Sequence, residues 1–138
     1  MFILDTNVLS EQTKPRPNVR VLEWLKNHAA DRCYLSTVTI AEIARGVERA
    51  HRKVPEKGKA LAQWLARVEA QFQGSIVPFD HSDAREWGRL MAERPEAPLD
   101  TMLAAQARAR GLVVVTQNVR DFERRNVAFL DPSGEPAP

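Results

Sequence analysis

The sequence predicts an α/β domain, with a mostly parallel sheet and helices packed on both of its faces. Three observations predict it. Short apolar runs alternate with longer segments whose apolar residues recur at the helical period. The run Leu112-Val-Val-Val115 is β-branched and apolar on both faces, as a strand covered by two helical layers must be. The chain has 138 residues, 43% hydrophobic and 28% charged, which is the size and composition of one globular domain. A chain of this length buries roughly two thirds of its unfolded surface, so it folds without staples.

The elements follow in order. Phe2-Ile-Leu4 reads as a buried strand ending at Asp5. Val21, Leu22, Leu25 and Ala29 share one helical face. Cys33-Tyr-Leu35 reads as a second strand. Two helices follow, with stripes Ile40, Ile43, Ala44, Val47 and Leu61, Trp64, Leu65, Val68, Phe72. Ser75–Phe79 is a third strand, which Pro78 pushes to a sheet edge because proline cannot donate to a ladder. Ala84, Trp87 and Met91 mark another helix. Leu99, Met102, Leu103 and Gln106 mark the helix that Gly111 is placed to cap, ahead of the strand at 112–115. A short helix and a fifth strand, Val127-Ala-Phe-Leu130, complete the series. The tryptophans, Met91 and Met102 fall in these stripes and read as core. The domain is expected to span residues 1–131, with Pro132–Pro138 as a short flexible tail.

Composition excludes several classes. A single cysteine, Cys33, forms neither an internal disulfide nor a Cys-rich zinc site, and reads as a small core residue. The start meets an acid at Asp5 and lacks a basic leader, so no secretory signal is expected. No apolar run approaches the roughly 20 residues that cross a bilayer. The expectation is a soluble, cytoplasmic protein with no membrane partner. There is no GxxxxGK[ST] loop, no GxGxxG and no GxSxG elbow. His28, on an exposed-looking helix end, His51 and His81 have no metal spacing and read as surface residues. The net charge of +2 allows an anionic partner without requiring one. From Arg45 to Lys59, basic groups cluster (Arg45, Arg49, His51, Arg52, Lys53, Lys57, Lys59). A solvated helix end and loop accounts for them, and a surface for phosphates or an acidic partner is the functional alternative.

In open α/β sheets, sites form at the carboxyl ends of strands and the amino ends of the following helices. Four acids map there: Asp5 after strand one, Glu42 early in the helix after strand two, Asp100 at the start of the helix before strand four, and Asp121 just past strand four. Each has an ordinary explanation in helix capping. Thr39-Ile-Ala-Glu42 and Asn118-Val-Arg-Asp121 have the form of capping boxes, and Asp5 and Asp100 can serve a turn or helix start. Together they suggest one cleft. Clustered carboxylates repel and call for a cation, and oxygen donors without Cys or His suit Mg²⁺ or Mn²⁺. Such a site can orient a water and stabilise charge on a phosphate, the chemistry of a metal-dependent phosphodiesterase.

Met1-Phe-Ile-Leu-Asp-Thr-Asn-Val-Leu-Ser-Glu11 resembles the opening of PIN-domain proteins. Ser36-Thr-Val-Thr-Ile-Ala-Glu-Ile-Ala-Arg-Gly46 resembles their second acidic segment, and Asp100 through Phe122 their third and fourth. The subgroup is the VapC-type toxins, FitB-like or plasmid-stability proteins, and the likeness runs from Met1 to about Pro132. It implies a three-layer α/β/α sandwich and an Mg²⁺- or Mn²⁺-dependent endoribonuclease, the toxin of a toxin–antitoxin pair. Asp5, Glu42, Asp100 and Asp121 match the family's catalytic, metal-binding acids. Asn7, Thr116 and Asn118 are expected to border the site. The resemblance also implies a homodimer, a small VapB/FitA-like antitoxin lying over the active-site groove, and operator DNA bound through that antitoxin. The family's common Thr-Arg-Asn triplet is here Thr116-Gln117-Asn118, with one positive group fewer. Arg45, Arg49 and Arg120 are candidates for RNA backbone contacts.

Two rival classes are distinguishable. A PIN-fold subunit with little or no nuclease activity would dimerise and position a DNA-binding partner through the apolar faces at 21–25 and 61–72. A phosphoacceptor receiver domain would need a lysine late in the chain, and no lysine follows Lys59.

Overall fold

The computed structural model describes residues 1–134. Strands β1 (Phe2–Leu4), β2 (Cys33–Ser36), β3 (Ile76–Val77), β4 (Val113–Val115) and β5 (Phe129–Leu130) form one sheet in the order β3-β2-β1-β4-β5. All neighbours run parallel. From β1 the chain moves outward to β2 and β3, then returns to lay β4 and β5 on the other side. The order therefore reverses between β1 and β4, where such sheets open a crevice at their carboxyl ends. The register places Leu4 opposite Val115, so Asp5 and Thr116 leave the sheet side by side. The Asp5 amide donates to the Val115 carbonyl at 2.9 Å.

Helices α1 (Thr6–Leu9), α2 (Val19–Arg32), α3 (Thr37–Lys53), α4 (Pro55–Gln71), α5 (His81–Glu93), α6 (Pro98–Arg110) and α7 (Val119–Glu123) connect the strands, with a 3₁₀ turn at Ser10–Thr13. Successive strand residues point to opposite faces, and this splits the core in two. Leu4, Leu35 and Val115 meet Val21, Leu25, Ile43, Val47, Trp64 and Val68 on the side of α2, α3 and α4. Ile3 and Val114 meet Leu90, Leu103, Ala104, Ala107 and Phe122 on the side of α5, α6 and α7. The architecture is the expected three-layer α/β/α sandwich.

Most elements lie where the residue pattern puts them. Asn18 caps α2, its Oδ1 accepting from the Arg20 amide at 3.0 Å. Gly111 ends α6 at φ 65°, a left-handed conformation that costs any other residue more. The third and fifth strands are shorter than expected, and Pro78 does follow an edge strand. Buried Gln106, within the α6 face, accepts from Ser36 Oγ at 2.5 Å and donates to the Val77 carbonyl at 3.3 Å, tying the helix to two strands. Cys33 is buried, and burial pushes its thiol up to about 11.

Three faces differ. Ala44, Ala84 and Leu99 are exposed. In α3 the inward residues are Val38, Thr39, Ile43 and Val47, one step round from Ala44. In α5 they are Asp83 and Leu90. His28 is not on a solvated end: its ring stacks on Trp24 at 4.4 Å between centroids. Of the tail expected at 132–138, Pro132 is buried and Ser133 bonds back to Asp131, while residues 135–138 lie outside the described residues. Among the described residues no helix is long and apolar enough to cross a membrane.

The hairpin of α3 and α4 closes on Gly58. A Cβ there would stand 2.6 Å from the His51 backbone nitrogen and 2.5 Å from its Nδ1. Gly58→Ala is therefore expected to cost roughly 1–3 kcal/mol, the usual penalty for overpacking, read as a lower melting temperature.

Candidate active site

Asp5, Asn7, Glu42, Asp100 and Asn118 line one open cleft of about 360 Å³, together with Thr6, Ser10 and Lys14. Asp5 arrives from the end of β1, Glu42 from the second turn of α3, Asp100 from the first turn of α6, and Asn118 from the turn after β4. These are the chain segments that flank the strand-order reversal.

Asp5 is the most enclosed of the three cleft carboxylates, at 4% exposure. Its Oδ1 accepts from the Thr6 amide at 2.7 Å, so it does cap α1. Its Oδ2 accepts from Thr116 Oγ1 at 2.8 Å. Burial, with Asp100 and Glu42, raises the Asp5 carboxyl to about 7 against the opposing bonds from Thr116 and Thr6. Glu42 is raised by burial and by Asp100, against the Thr6 hydroxyl, which donates to its Oε1 at 3.2 Å, and against Arg45. Asp100 is raised by burial and by Asp121, against Arg125.

The capping explanations separate here. Ser36, not Thr39, caps α3, accepting from the Val38 amide at 3.0 Å. Thr39 is buried and donates to the Leu4 carbonyl at 3.3 Å. Glu42 is thus free of a capping box and faces the cleft. Asn118 makes no side-chain cap on α7. Its amide donates to Asp121 Oδ2 at 2.6 Å and to Asp100 Oδ2 at 3.4 Å, clasping the two acids together.

Asp121 stands beside the cleft, reaching it through Asn118, and does not line it. Asn7 donates to Thr116 Oγ1 at 3.5 Å, and its Oδ1 accepts from the Gln117 amide at 3.2 Å, so it braces the turn after β4. Thr116 stands behind Asp5, and its Oγ1 also accepts from the Asn118 amide at 2.8 Å. Of the three arginines singled out, Arg45 acts electrostatically on Glu42, Arg49 lines an adjoining groove, and Arg120 is exposed on α7 outside the cleft.

Three contributors were not legible beforehand. Glu11 is buried at 3% exposure, paired with Lys14, accepting from the Asn18 amide at 2.8 Å and from Gln117 Nε2 at 3.2 Å. The bond from Lys14, with those from Asn18 and Gln117, holds its carboxyl down to about 2. Gln117, at the departure from the common triplet, thereby ties the turn after β4 to the chain after β1. Arg125, buried at 5% exposure, donates to Thr101 Oγ1 at 2.9 Å, the Asp121 carbonyl at 2.5 Å and the Glu96 carbonyl at 3.0 Å. It braces the start of α6, where Ala97 sits at φ 47°. A non-glycine residue holds that conformation only where its surroundings enforce it. No sequence signal tells Arg125 from its exposed neighbour Arg124.

The donor set is all oxygen: three carboxylates, with two side-chain amides and two hydroxyls at the rim. Like charges crowded into a half-buried cleft favour a hard divalent cation, and no Cys or His competes. Among the described residues no group of three or more His, Cys, Asp or Glu side chains stands, as now placed, where it could hold a metal ion. The set fits such an ion by its chemistry, with the carboxylates at present bonded to Thr6, Thr116 and Asn118.

Acids from the end of β1, the second turn of α3 and the first turn of α6 thus meet at the switch point of a parallel sheet. Residues 2–128 match the PIN domain, and the chain belongs to that family. It is similar to Toxin FitB of Neisseria gonorrhoeae, 33% identical over 96% of this chain and 98% of that one. The solved FitAcB structure from the same organism matches with a TM-score of 0.86, at 33% identity over 96% of this chain and 98% of that one. It is also similar to the tRNA(fMet)-specific endonuclease VapC of Shigella flexneri, 33% identical over 89% of this chain and 90% of that one. The DNA-bound VapBC structure from Salmonella typhimurium matches with a TM-score of 0.74 at 29% identity, over 95% of this chain and 97% of that one.

Proposed function

We propose that this chain is a metal-dependent endoribonuclease, the toxin of a toxin–antitoxin pair. The observation that carries it is the convergence of Asp5, Glu42 and Asp100 on one cleft, with all three carboxyls raised toward neutrality. Relatives named as a toxin and as an endonuclease support the same reading.

Asp5, Glu42 and Asp100 would hold Mg²⁺ or Mn²⁺, with Asp121 assisting. When bound, the ion supplies a polarised water and neutralises charge on the scissile phosphate. The chain's own groups do the positioning. Thr116 and the Thr6 amide orient Asp5, the Thr6 hydroxyl orients Glu42, and Asn118 holds Asp100 against Asp121. Hydrolysis by water with the 3′-oxygen as the leaving group would leave a 5′-phosphate and a 3′-hydroxyl, and no 2′,3′-cyclic phosphate would form because the ribose 2′-hydroxyl is not the nucleophile. A VapB/FitA-like antitoxin covering this cleft would silence it, and operator DNA would be reached through that antitoxin. The DNA-bound VapBC relative supports this. A homodimer is part of the same reading and is checked by light scattering on the isolated chain. So is the extent of the folded unit at 1–131, checked by truncation at Asp131.

The test is cleavage of a pool of structured RNAs (tRNA, rRNA, a stable hairpin) by protein free of any partner, with Mg²⁺, Mn²⁺ or EDTA. Discrete cuts are expected with either metal and none with EDTA. Folded protein that binds Mn²⁺ in a titration yet cuts nothing would restrict the target. Protein that neither binds Mn²⁺ nor cuts would overturn the proposal in favour of a subunit that only positions a DNA-binding partner.

A further inference from the structure

The acid cleft does not end at Glu42. It shares Thr6, Ser10, Lys14 and Glu42 with a second groove of about 380 Å³. The floor of that groove is apolar, built from Ile43, Val47, Leu61 and Trp64, between α3 and α4. It continues past Gly46 and Lys57 into a shallower stretch flanked by Arg49 and Lys53. Lys14 is paired with Glu11, but among the described residues Arg49, Lys53 and Lys57 make no ion pair. The trough is therefore acidic at one end and cationic along the rest, with an apolar bottom.

Gly46 is the second observation. It lies in the interior of the 17-residue helix α3, where glycine is a poor choice beside alanine. Packing does not require it: a Cβ at this position would meet nothing within 4 Å. What the missing side chain leaves is open space where the two groove segments join.

We propose that this groove seats the single-stranded RNA next to the scissile phosphate: a base lies over the Ile43–Val47–Leu61–Trp64 floor, and the adjoining phosphates lie along Lys57, Lys53 and Arg49. The assignment rests on the ribonuclease reading and adds to it where the substrate runs. A flexible single strand combines flat apolar faces with a charge at every nucleotide, which is the combination this groove complements. A neutral apolar peptide would match the floor and leave the unpaired cations unanswered. The basic run from Arg45 to Lys59, which a solvated helix end could explain, thereby has a use on the groove side.

The test measures RNA affinity directly. A labelled mixed-sequence single-stranded decamer is titrated by fluorescence anisotropy into full-length Asp5→Asn protein in Mg²⁺, with and without Gly46→Leu. Leucine fills the opening and favours the helix, so the variant is expected to melt no lower than its parent and to bind the RNA at least about 10-fold more weakly. Lys57→Gln and Lys53→Gln, both exposed, are each expected to weaken binding and to flatten the log–log salt dependence by about 0.7. Unchanged RNA affinity and salt slope in these variants would overturn the assignment and leave the groove to a protein segment. Failure of the broader reading looks different. Protein with its native Asp5 would then cut no RNA with either metal, whereas protein that cuts normally with Gly46→Leu in place refutes the groove alone.

Discussion

Asp5→Asn is expected to abolish Mn²⁺ binding and metal-dependent cleavage while raising the melting temperature of the metal-free protein at about pH 8. The two effects share a cause. Asp5 is 4% exposed, and burial with like-charged neighbours raises its carboxyl from 3.8 to about 7. The folded state thus holds the proton more tightly than the unfolded chain. As pH rises from about 4 to about 7 the unfolded chain releases that proton first, so the metal-free fold loses stability across this window, and the loss is complete above it. The full effect is at most about 4 kcal/mol. Asparagine removes the charge, keeps an oxygen for the Thr6 amide and presents an amide to Thr116. The gain is then several degrees in melting temperature. A metal ligand contributes several kcal/mol to stabilising charge in the transition state, so cleavage should fall on the order of 10³-fold or more. Thermal melts from about pH 4 to 8 with EDTA, beside Mn²⁺ calorimetry, check both arms. A variant that melts lower at pH 8, or still binds Mn²⁺ normally, contradicts this account. Glu11, and Glu86 on α5, which accepts from Arg89 and Arg108, are both held down to about 2 and have the opposite sign. Their contribution is present above about 4.5 and is lost as pH falls toward 2.

Arg125→Ala is expected to be a strongly damaging substitution outside the cleft, costing roughly 2–3 kcal/mol. It takes a donor from three acceptors: the Asp121 carbonyl is left unpaired, while the Glu96 carbonyl keeps only the bond from the Thr101 hydroxyl, and that hydroxyl keeps only its own donation to Glu96 and Ala97. It also releases the turn in which Ala97 is held at φ 47° directly before α6. Asp100 begins two residues into that helix, and Arg125 is the cation that opposes the upward shift of its carboxyl. Where the variant still folds at low temperature, Mn²⁺ affinity should drop about 10–100-fold, the usual cost of losing an outer partner of a metal site. Arg125→Lys keeps the charge but cannot span three acceptors, and should fall between. Urea unfolding and Mn²⁺ titration at the same temperature separate the two effects. Wild-type stability in Arg125→Ala would show that the three acceptors find other partners.

Much of this was already present in the residue order. The alternation of apolar runs with amphipathic stretches dictates a layered parallel sheet, because strands covered on both faces and helices covered on one have different periods. Asp5, Glu42, Asp100 and Asp121 could be placed at one rim, because strand ends are legible even when partners are not. What a linear reading left open was the choice between cap and site for each acid. Glu42 and Asp121 have capping partners at the proper spacing, and only the fold shows that Ser36 takes the cap of α3 while Asn118 turns its amide to the acids. Local patterns also misplace faces by one step, as with Ala44, because a helix is rotated by the sheet it lies on rather than by its own composition. The contacts that only the tertiary structure decided span long stretches of chain: Gln117 with Glu11, Arg125 with Glu96, and the groove that joins Lys14 to Lys57. Sequence determined the class of fold and the chemistry of the acids, since these depend on residue type and period. Their pairing, the raised carboxyls of Asp5, Glu42 and Asp100 and the cationic trough beside them were decided by the fold, since burial and proximity arise only when distant segments meet.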